Sequence, residues 1–301
     1  MTAVSVLGAL GVMALRVWVI PAKQDLATGL FSSNRVVIIL TLMLLGALAA
    51  MLFVVRGGDR QEIKGKPSLI LSVMVLATGA ALFFTGVADL WSGLSNDTMV
   101  LGDNAGLSNA LSWLERIFCV LGGASLVRLG LVLASENTTR RGAAQWSLLA
   151  PVMWMWMVLA NYVMSYNSMV RPAEGFFSLT AYCTELLFLF YFARYIAGVG
   201  HVGSVTLLFF SGSATLCALS APAVKLIMYL LGDGAGYAAA GVTGVLDLLV
   251  GLLALTVSIT LCQSMSAPVE EPKEEEEAVD WSSVASEAEA ELLDSSEEAA
   301  E

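Results

Sequence analysis

Residues 239–262 read AAGVTGVLDLLVGLLALTVSITLC, and this stretch decides how the chain must fold. As an α-helix it is long enough to cross the roughly 30 Å of hydrocarbon in a bilayer. Its one charged residue, Asp247, shares a helical face with small residues, namely Ala240, Gly244, Gly251, Ala254 and Ser258. Because small residues allow helices to approach closely and charged groups avoid lipid, we expect Asp247 to face a helix bundle.

The composition of the whole chain supports a membrane protein. Mean hydropathy is +0.77, and 57% of the 301 residues are hydrophobic, which exceeds the usual apolar share of a soluble domain. The apolar residues occur in runs long enough to span a bilayer. The sequence therefore predicts an all-α integral membrane protein whose first partner is the lipid bilayer.

The net charge of −11 belongs to the C-terminal tail, residues 263–301. The tail holds 14 of the 26 Asp and Glu residues and one of the 15 Lys and Arg residues, so the rest of the chain is nearly neutral. Without a concentrated basic surface, we expect no nucleic-acid partner. The tail is too charged to bury a core, and we expect it to be largely disordered.

Apolar runs predict a bundle of seven or eight transmembrane helices. Seven runs occupy residues 36–55, 68–87, 111–134, 146–166, 177–196, 204–231 and 239–262. The first run, residues 3–20, is consistent with a short spanning helix, a helix lying on the membrane surface, or a signal peptide. We divide the chain into an N-terminal apolar segment with a polar connector (1–35), a transmembrane bundle (36–262) and the acidic tail (263–301).

Basic residues in the connecting segments favour one orientation of the bundle. Six of them fall on the side to which the C-terminus leads: Arg56, Arg60, Lys64, Lys66, Arg140 and Arg141. The opposite side holds Lys23, Arg35 and Arg171. Because basic loops stay in the cytoplasm, the sequence predicts a multi-pass protein of a bacterial cytoplasmic membrane with a cytoplasmic C-terminus.

Lys225 and Asp247 lie on successive antiparallel helices of this prediction, each on a face of small residues. Their depths in the bilayer differ by less than the reach of a lysine side chain, so we predict a Lys225–Asp247 pair. Pro222 cannot donate a backbone hydrogen bond and predicts a kink beside this pair. The same charges are consistent with a structural role, in which Lys225 reaches the outer interface and Asp247 fixes the helix register.

Three other charged residues inside the predicted helices, Glu185, Glu115 and Arg116, are candidates for a role in the bundle. Glu185 has unclear surroundings, and its carboxyl group could carry a proton in a coupled transporter or simply form a hydrogen bond. Glu115 shares a helical face with Cys119, which indicates that it faces protein. We assign Glu115 and its neighbour Arg116 to structural ion pairing.

The sequence contains no catalytic motif of convincing spacing. Neither HExxH nor GxxxxGK[ST] occurs, the four cysteines lie singly in apolar runs, and His201 is the only histidine. We therefore predict no catalytic residue, no metal, no cofactor and no enzymatic activity.

Two functional hypotheses follow from these features. The first is a transporter-like bundle with an outward-facing polar site formed by Lys225, Asp247 and Glu185. The alternative is a membrane scaffold or sensor that presents the acidic tail to a cytosolic protein. In the tail, the spacing of Trp281, Val284 and Leu292 is compatible with one face of a short helix. An isolated helix of this length is marginal in water, so we expect it to form only on a partner.

Overall fold

A computed structural model describes residues 2–23, 34–56, 69–95, 105–134, 146–166, 172–197, 204–231 and 241–266. Within these ranges the secondary structure is helical and contains no strand. Most of the acidic tail, from residue 267 onward, lies outside the described residues. The same holds for most of the basic connector residues that set the predicted orientation: Arg60, Lys64, Lys66, Arg140 and Arg141.

Nine α-helices follow one another along the described ranges. They are α1 (Thr2–Lys23), α2 (Asn34–Arg56), α3 (Leu69–Ser95), α4 (Ala105–Ala134), α5 (Leu149–Tyr166), α6 (Pro172–Ala197), α7 (Ser204–Ser220), α8 (Pro222–Leu230) and α9 (Gly241–Ser266). A single 3₁₀ turn, Trp146–Leu148, precedes α5.

Six helical segments are long and apolar enough to cross a membrane. They are Thr2–Ile20, Leu69–Ser95, Asn109–Ala134, Gly175–Ala197, Val205–Leu230 and Gly244–Gln263. The apolar parts of α2 and α5, Val37–Phe53 and Leu149–Met164, are shorter. The predicted all-α multispanning membrane protein is thus confirmed, and six spans satisfy the length criterion where seven or eight were predicted.

Hydroxyl groups inside these helices are satisfied within the helix itself. Thr78, Ser125, Ser213 and Thr256 each donate to the carbonyl oxygen one turn earlier, at 2.7 to 2.9 Å. A hydroxyl bonded to its own backbone needs no water, so these residues are compatible with an apolar environment.

Glycines bring α3 and α4 into backbone contact. A β-carbon added at Gly123 would lie 2.4 Å from the backbone nitrogen of Phe83, and one at Gly79 would lie 2.6 Å from that of Val127. The Cys119 thiol also donates to the Leu82 carbonyl oxygen at 3.3 Å. Close approach at small residues is the usual way in which helices associate in lipid.

The span formed by α7 and α8 is the most enclosed of the six. In its most apolar window 83% of the residues are buried, against at most 50% in the other spans. Its small face meets that of α9, as predicted: the hydroxyls of Ser211 and Ser258 share a hydrogen bond of 2.6 Å, and a β-carbon at Gly251 would lie 2.2 Å from the β-carbon of Ala218.

A break at Ala221 divides this span into α7 and α8. Pro222 is the first residue of α8 and has no N–H to donate to the Ala218 carbonyl oxygen. The backbone stays connected by hydrogen bonds from Ala221 N to Cys217 O (3.0 Å) and from Lys225 N to Ala221 O (3.1 Å). The helix is therefore interrupted at the position where Pro222 predicted a kink, and the bend itself stays a prediction.

Candidate polar site within the helix bundle

Polar side chains from several helices extend from the end of the bundle where α3 and α5 end and α4, α6 and α9 begin toward its middle. We call this group the polar cluster, and it comprises Asp89, Glu115, Arg116, Asn161, Ser178, Tyr182, Glu185, Lys225 and Asp247. The three residues predicted to form the site, Lys225, Asp247 and Glu185, all belong to it.

One face of α6 contributes three members of the polar cluster. Ser178, Tyr182 and Glu185 follow one another at spacings of four and three residues, and they are 2%, 9% and 0% exposed. The rings of Tyr162 on α5 and Tyr182 are in edge-to-face contact, with centroids 5.0 Å apart, and the Tyr162 hydroxyl donates to the Gly175 carbonyl oxygen at 3.0 Å. These contacts fix the position of Tyr182.

Glu185 is the most enclosed acidic residue of the polar cluster. Among the described residues, neither of its carboxylate oxygens has a hydrogen-bond partner. The charges of Asp247 and Lys225 act on it. A buried carboxyl group without a hydrogen bond is energetically costly, and such groups in membrane spans usually have a function.

Asp247 lies on α9 and is 5% exposed. The Tyr182 side chain of α6 interacts with the Asp247 carboxyl group, which links α9 to α6. The Lys225 charge acts on Asp247 as well. The burial agrees with the expectation that Asp247 faces other helices.

Lys225 on α8 is half-buried, and its Nζ donates to the Ser178 hydroxyl at 2.5 Å. This lysine therefore links α8 to α6, and its charge acts on two carboxyl groups at once. A direct Lys225–Asp247 pair stays a prediction.

Glu115 contacts α5, and Arg116 contacts an aromatic ring of its own helix. Glu115 accepts a hydrogen bond from the Asn161 amide of α5. The Arg116 guanidinium lies over the Trp113 ring, 5.2 Å from its centroid, and its charge acts on Glu115 and on Asp89. Structural ion pairing of Glu115 with Arg116 stays a prediction, and the Asn161 contact is an addition to it.

A partly enclosed cavity of about 50 Å³ lies within the polar cluster. It is lined by Thr85, Asp89, Glu115, Arg116, Cys119, Trp154, Val158, Tyr182, Leu246 and Asp247. This volume has room for about three to five water molecules. Because Asp89 is exposed and Asp247 is buried, the cavity connects the surface of the bundle to a carboxyl group in its interior.

Asp89 was not predicted to be part of the site. The third predicted helix ended at residue 87, and this boundary was wrong, because α3 continues to Ser95. Asp89 follows Thr85 by four residues, so both lie on one helical face toward the cavity. The spacing from Thr85 was the signal that could have identified it.

Arg16 on α1 is a second buried charge that sequence reasoning did not single out. It is 0% exposed, donates to the Ser220 carbonyl oxygen at the α7–α8 break, and lies over the Phe177 ring at 4.2 Å from the centroid. Ser5, Ala9 and Val12 precede it at spacings of four and three residues and are buried as well. This periodic face of α1 was the available signal.

Within the described ranges, no three His, Cys, Asp or Glu residues lie close enough together to hold a metal ion. Comparison of the chain with protein-family models, with curated proteins and with solved structures finds no match. The functional argument therefore depends on the polar cluster and its cavity.

Proposed function

We propose that the protein is a transporter-like membrane protein of seven or eight spans, with a polar site inside the bundle. The single observation that carries the proposal is the cavity that leads from exposed Asp89 to buried Asp247. Residues from five helices, α3 to α6 and α9, line it. An intramembrane carboxyl group at the end of such a cavity is suited to bind an ion or a small polar solute.

The interrupted α7–α8 span supports the same proposal. Transporters commonly place their binding sites at discontinuous helices, because the free backbone groups and the bend allow movement around the site. Here the break at Ala221 lies one helical turn from Lys225. A bundle stabilised only by apolar packing would need neither the break nor the charges.

The basic connectors give the site an orientation. If Lys64, Lys66, Arg140 and Arg141 are cytoplasmic, α3 ends and α4 begins on the opposite side of the membrane. The cavity then opens outward. The same orientation places the C-terminus in the cytoplasm.

Cysteine accessibility tests the cavity and its orientation together. In a chain with Cys119, Cys183, Cys217 and Cys262 replaced by alanine, we expect Leu246→Cys to react with a membrane-impermeant thiol reagent added to intact cells. Leu246 lines the cavity, where water allows the thiolate to form.

The matched control is Val245→Cys, at the same depth on α9. Val245 is 41% exposed on the outside of the bundle, whereas Leu246 is 6% exposed, so in the bilayer Val245 faces lipid and should not react. If Leu246→Cys is unreactive, or if both positions react equally, there is no water-filled cavity and the proposal is wrong. Reaction in inside-out vesicles alone contradicts the outward orientation.

A further inference from the structure

Three charged groups of the polar cluster interact electrostatically, one each from α6, α8 and α9. Glu185 and Asp247 are 0% and 5% exposed, and the Lys225 charge acts on both. One lysine balances one carboxylate, so two ionised carboxyl groups would leave an uncompensated negative charge inside the bundle. Such a charge costs several kcal/mol in surroundings of low dielectric constant.

Lys225 can compensate only one carboxylate, and Asp247 and Glu185 are not equally suited to be that carboxylate. Asp247 interacts with the Tyr182 side chain and lines the cavity, so water can solvate it. Glu185 is absent from the cavity lining, and its oxygens have no hydrogen-bond partner among the described residues. We therefore expect Asp247 to be ionised and Glu185 to be protonated and neutral.

The other titratable neighbours of Glu185 leave this balance unchanged. They are Tyr182 on α6 and Cys217 on α7. A phenol and a thiol are uncharged at neutral pH in their ordinary state, so neither supplies a second cation.

We propose that Glu185 is a proton-binding site and that the proton bound there is the ion to which transport is coupled. The second part of this proposal rests on the transport function proposed above. Release of the proton converts the Glu185 carboxyl into a carboxylate and transfers the proton to a water molecule, which must first move from the cavity to Glu185 because Glu185 does not line the cavity. Lys225 then faces two carboxylates, so release requires that a cation or additional water reach Glu185.

Infrared spectroscopy of the full chain in lipid vesicles tests where the proton is. At neutral pH the wild-type protein should give the carbonyl stretching band of a neutral carboxylic acid, which is recognised by its shift in D₂O. Glu185→Gln should lose this band, whereas Glu185→Asp should keep a band at a shifted position. Identical spectra for wild type and Glu185→Gln overturn the proposal.

The matched control on α6 is Thr180→Val. Thr180 is half-buried, and its hydroxyl donates to the Phe176 carbonyl oxygen of its own helix, so this change should leave the carboxylic acid band in place. Glutamine is a neutral isostere of the acid, and Glu185→Gln should therefore fold with an unchanged melting temperature. If Glu185→Gln fails to fold, Glu185→Asp decides the question, and absence of a shifted carboxylic acid band in that variant overturns the proposal.

A pH step on vesicles adsorbed to a solid-supported membrane tests exchange of the proton. We expect a transient charge displacement in the wild type and in Thr180→Val, and its loss in Glu185→Gln; an unchanged displacement in Glu185→Gln overturns the proposal. If the Glu185 band is present and Leu246→Cys is unreactive, the proton site is supported and the transport function is contradicted. If the band is absent and Leu246→Cys reacts, only the proton site is contradicted.

Discussion

At the scale of single residues, Lys225 is the member of the polar cluster whose loss should change the free energy of unfolding most directly. It donates to Ser178, and its charge acts on Asp247 and Glu185. Removing one member of a buried charge pair generally costs more than the pair contributes, because the remaining charge stays buried and unbalanced. Lys225 is only half-buried, so water reduces this cost.

We expect Lys225→Met to lower the free energy of unfolding by about 2–3 kcal/mol, since it leaves the Asp247 carboxylate unbalanced. Adding Asp247→Asn to the same chain should recover most of this loss. A double-mutant cycle in detergent micelles measures the coupling between the two positions.

Asp89→Asn supplies the control for this cycle. Asp89 is exposed at the mouth of the cavity, and its effect should add to that of Lys225→Met without recovery. A coupling energy near zero between Lys225 and Asp247 would contradict the predicted pair.

Some residues of the site could be predicted from the sequence, and others could not. The position of Asp247 inside the bundle was predicted, because a single charge among evenly spaced small residues is enough to identify the side of a helix that faces protein. The surroundings of Glu185 depend on how α6 packs against α8 and α9, and bulky neighbours such as Leu189 gave no indication of this. Contacts of Ser178 and Asn161 join helices distant in sequence, and a single sequence does not contain that information.

At the scale of helices, the α3–α4 contact holds the mouth of the cavity in place. The two helices touch at Gly79, Gly86, Gly123 and Gly130, where an added β-carbon would lie between 2.4 and 3.0 Å from an atom of the other helix. Asp89 follows this contact on α3, and Glu115 precedes it on α4. Separation of the helices at the glycines would therefore move both carboxyl groups.

We expect Gly123→Ala to lower the free energy of unfolding by about 1–3 kcal/mol, because its β-carbon would push against the Phe83 backbone. Gly46→Ala on α2 is the matched control. No atom lies within 4 Å of a β-carbon there, so alanine should be neutral or stabilising by up to about 1 kcal/mol. Equal effects of the two changes on unfolding in detergent micelles would show that α3 and α4 are not in close contact.

Helix positions were predicted better than helix ends. Apolar runs located every long helix, because membrane spans must be apolar over a fixed length. The end of α3 was missed because Asp89 and the following Gly and Ser residues resemble a loop, although the helix continues through them. The break at Ala221 was predictable, since Pro222 lacks the required donor.

At the scale of the whole molecule, the two functional hypotheses differ in what they require of the acidic tail. Deleting residues 268–301 should leave the reactivity of Leu246→Cys and the charge displacement unchanged, because the cavity is formed by the helices alone. A scaffold predicts instead that the deletion abolishes co-purification of a cytosolic protein. Loss of the charge displacement in the truncated chain, with folding intact, would contradict a transport site confined to the bundle.

The contact between Arg16 and Ser220 has a consequence for how the protein is made. The two residues are 204 positions apart, so at ordinary rates of synthesis about 10–40 s pass between them. During this time the Arg16 guanidinium of α1 lacks the Ser220 carbonyl oxygen, which accepts its hydrogen bond in the folded protein. We expect α1 to wait beside the translocation channel or at the membrane surface until α7 emerges, so α1 is made well before α7 but reaches its final position only after α7 is present.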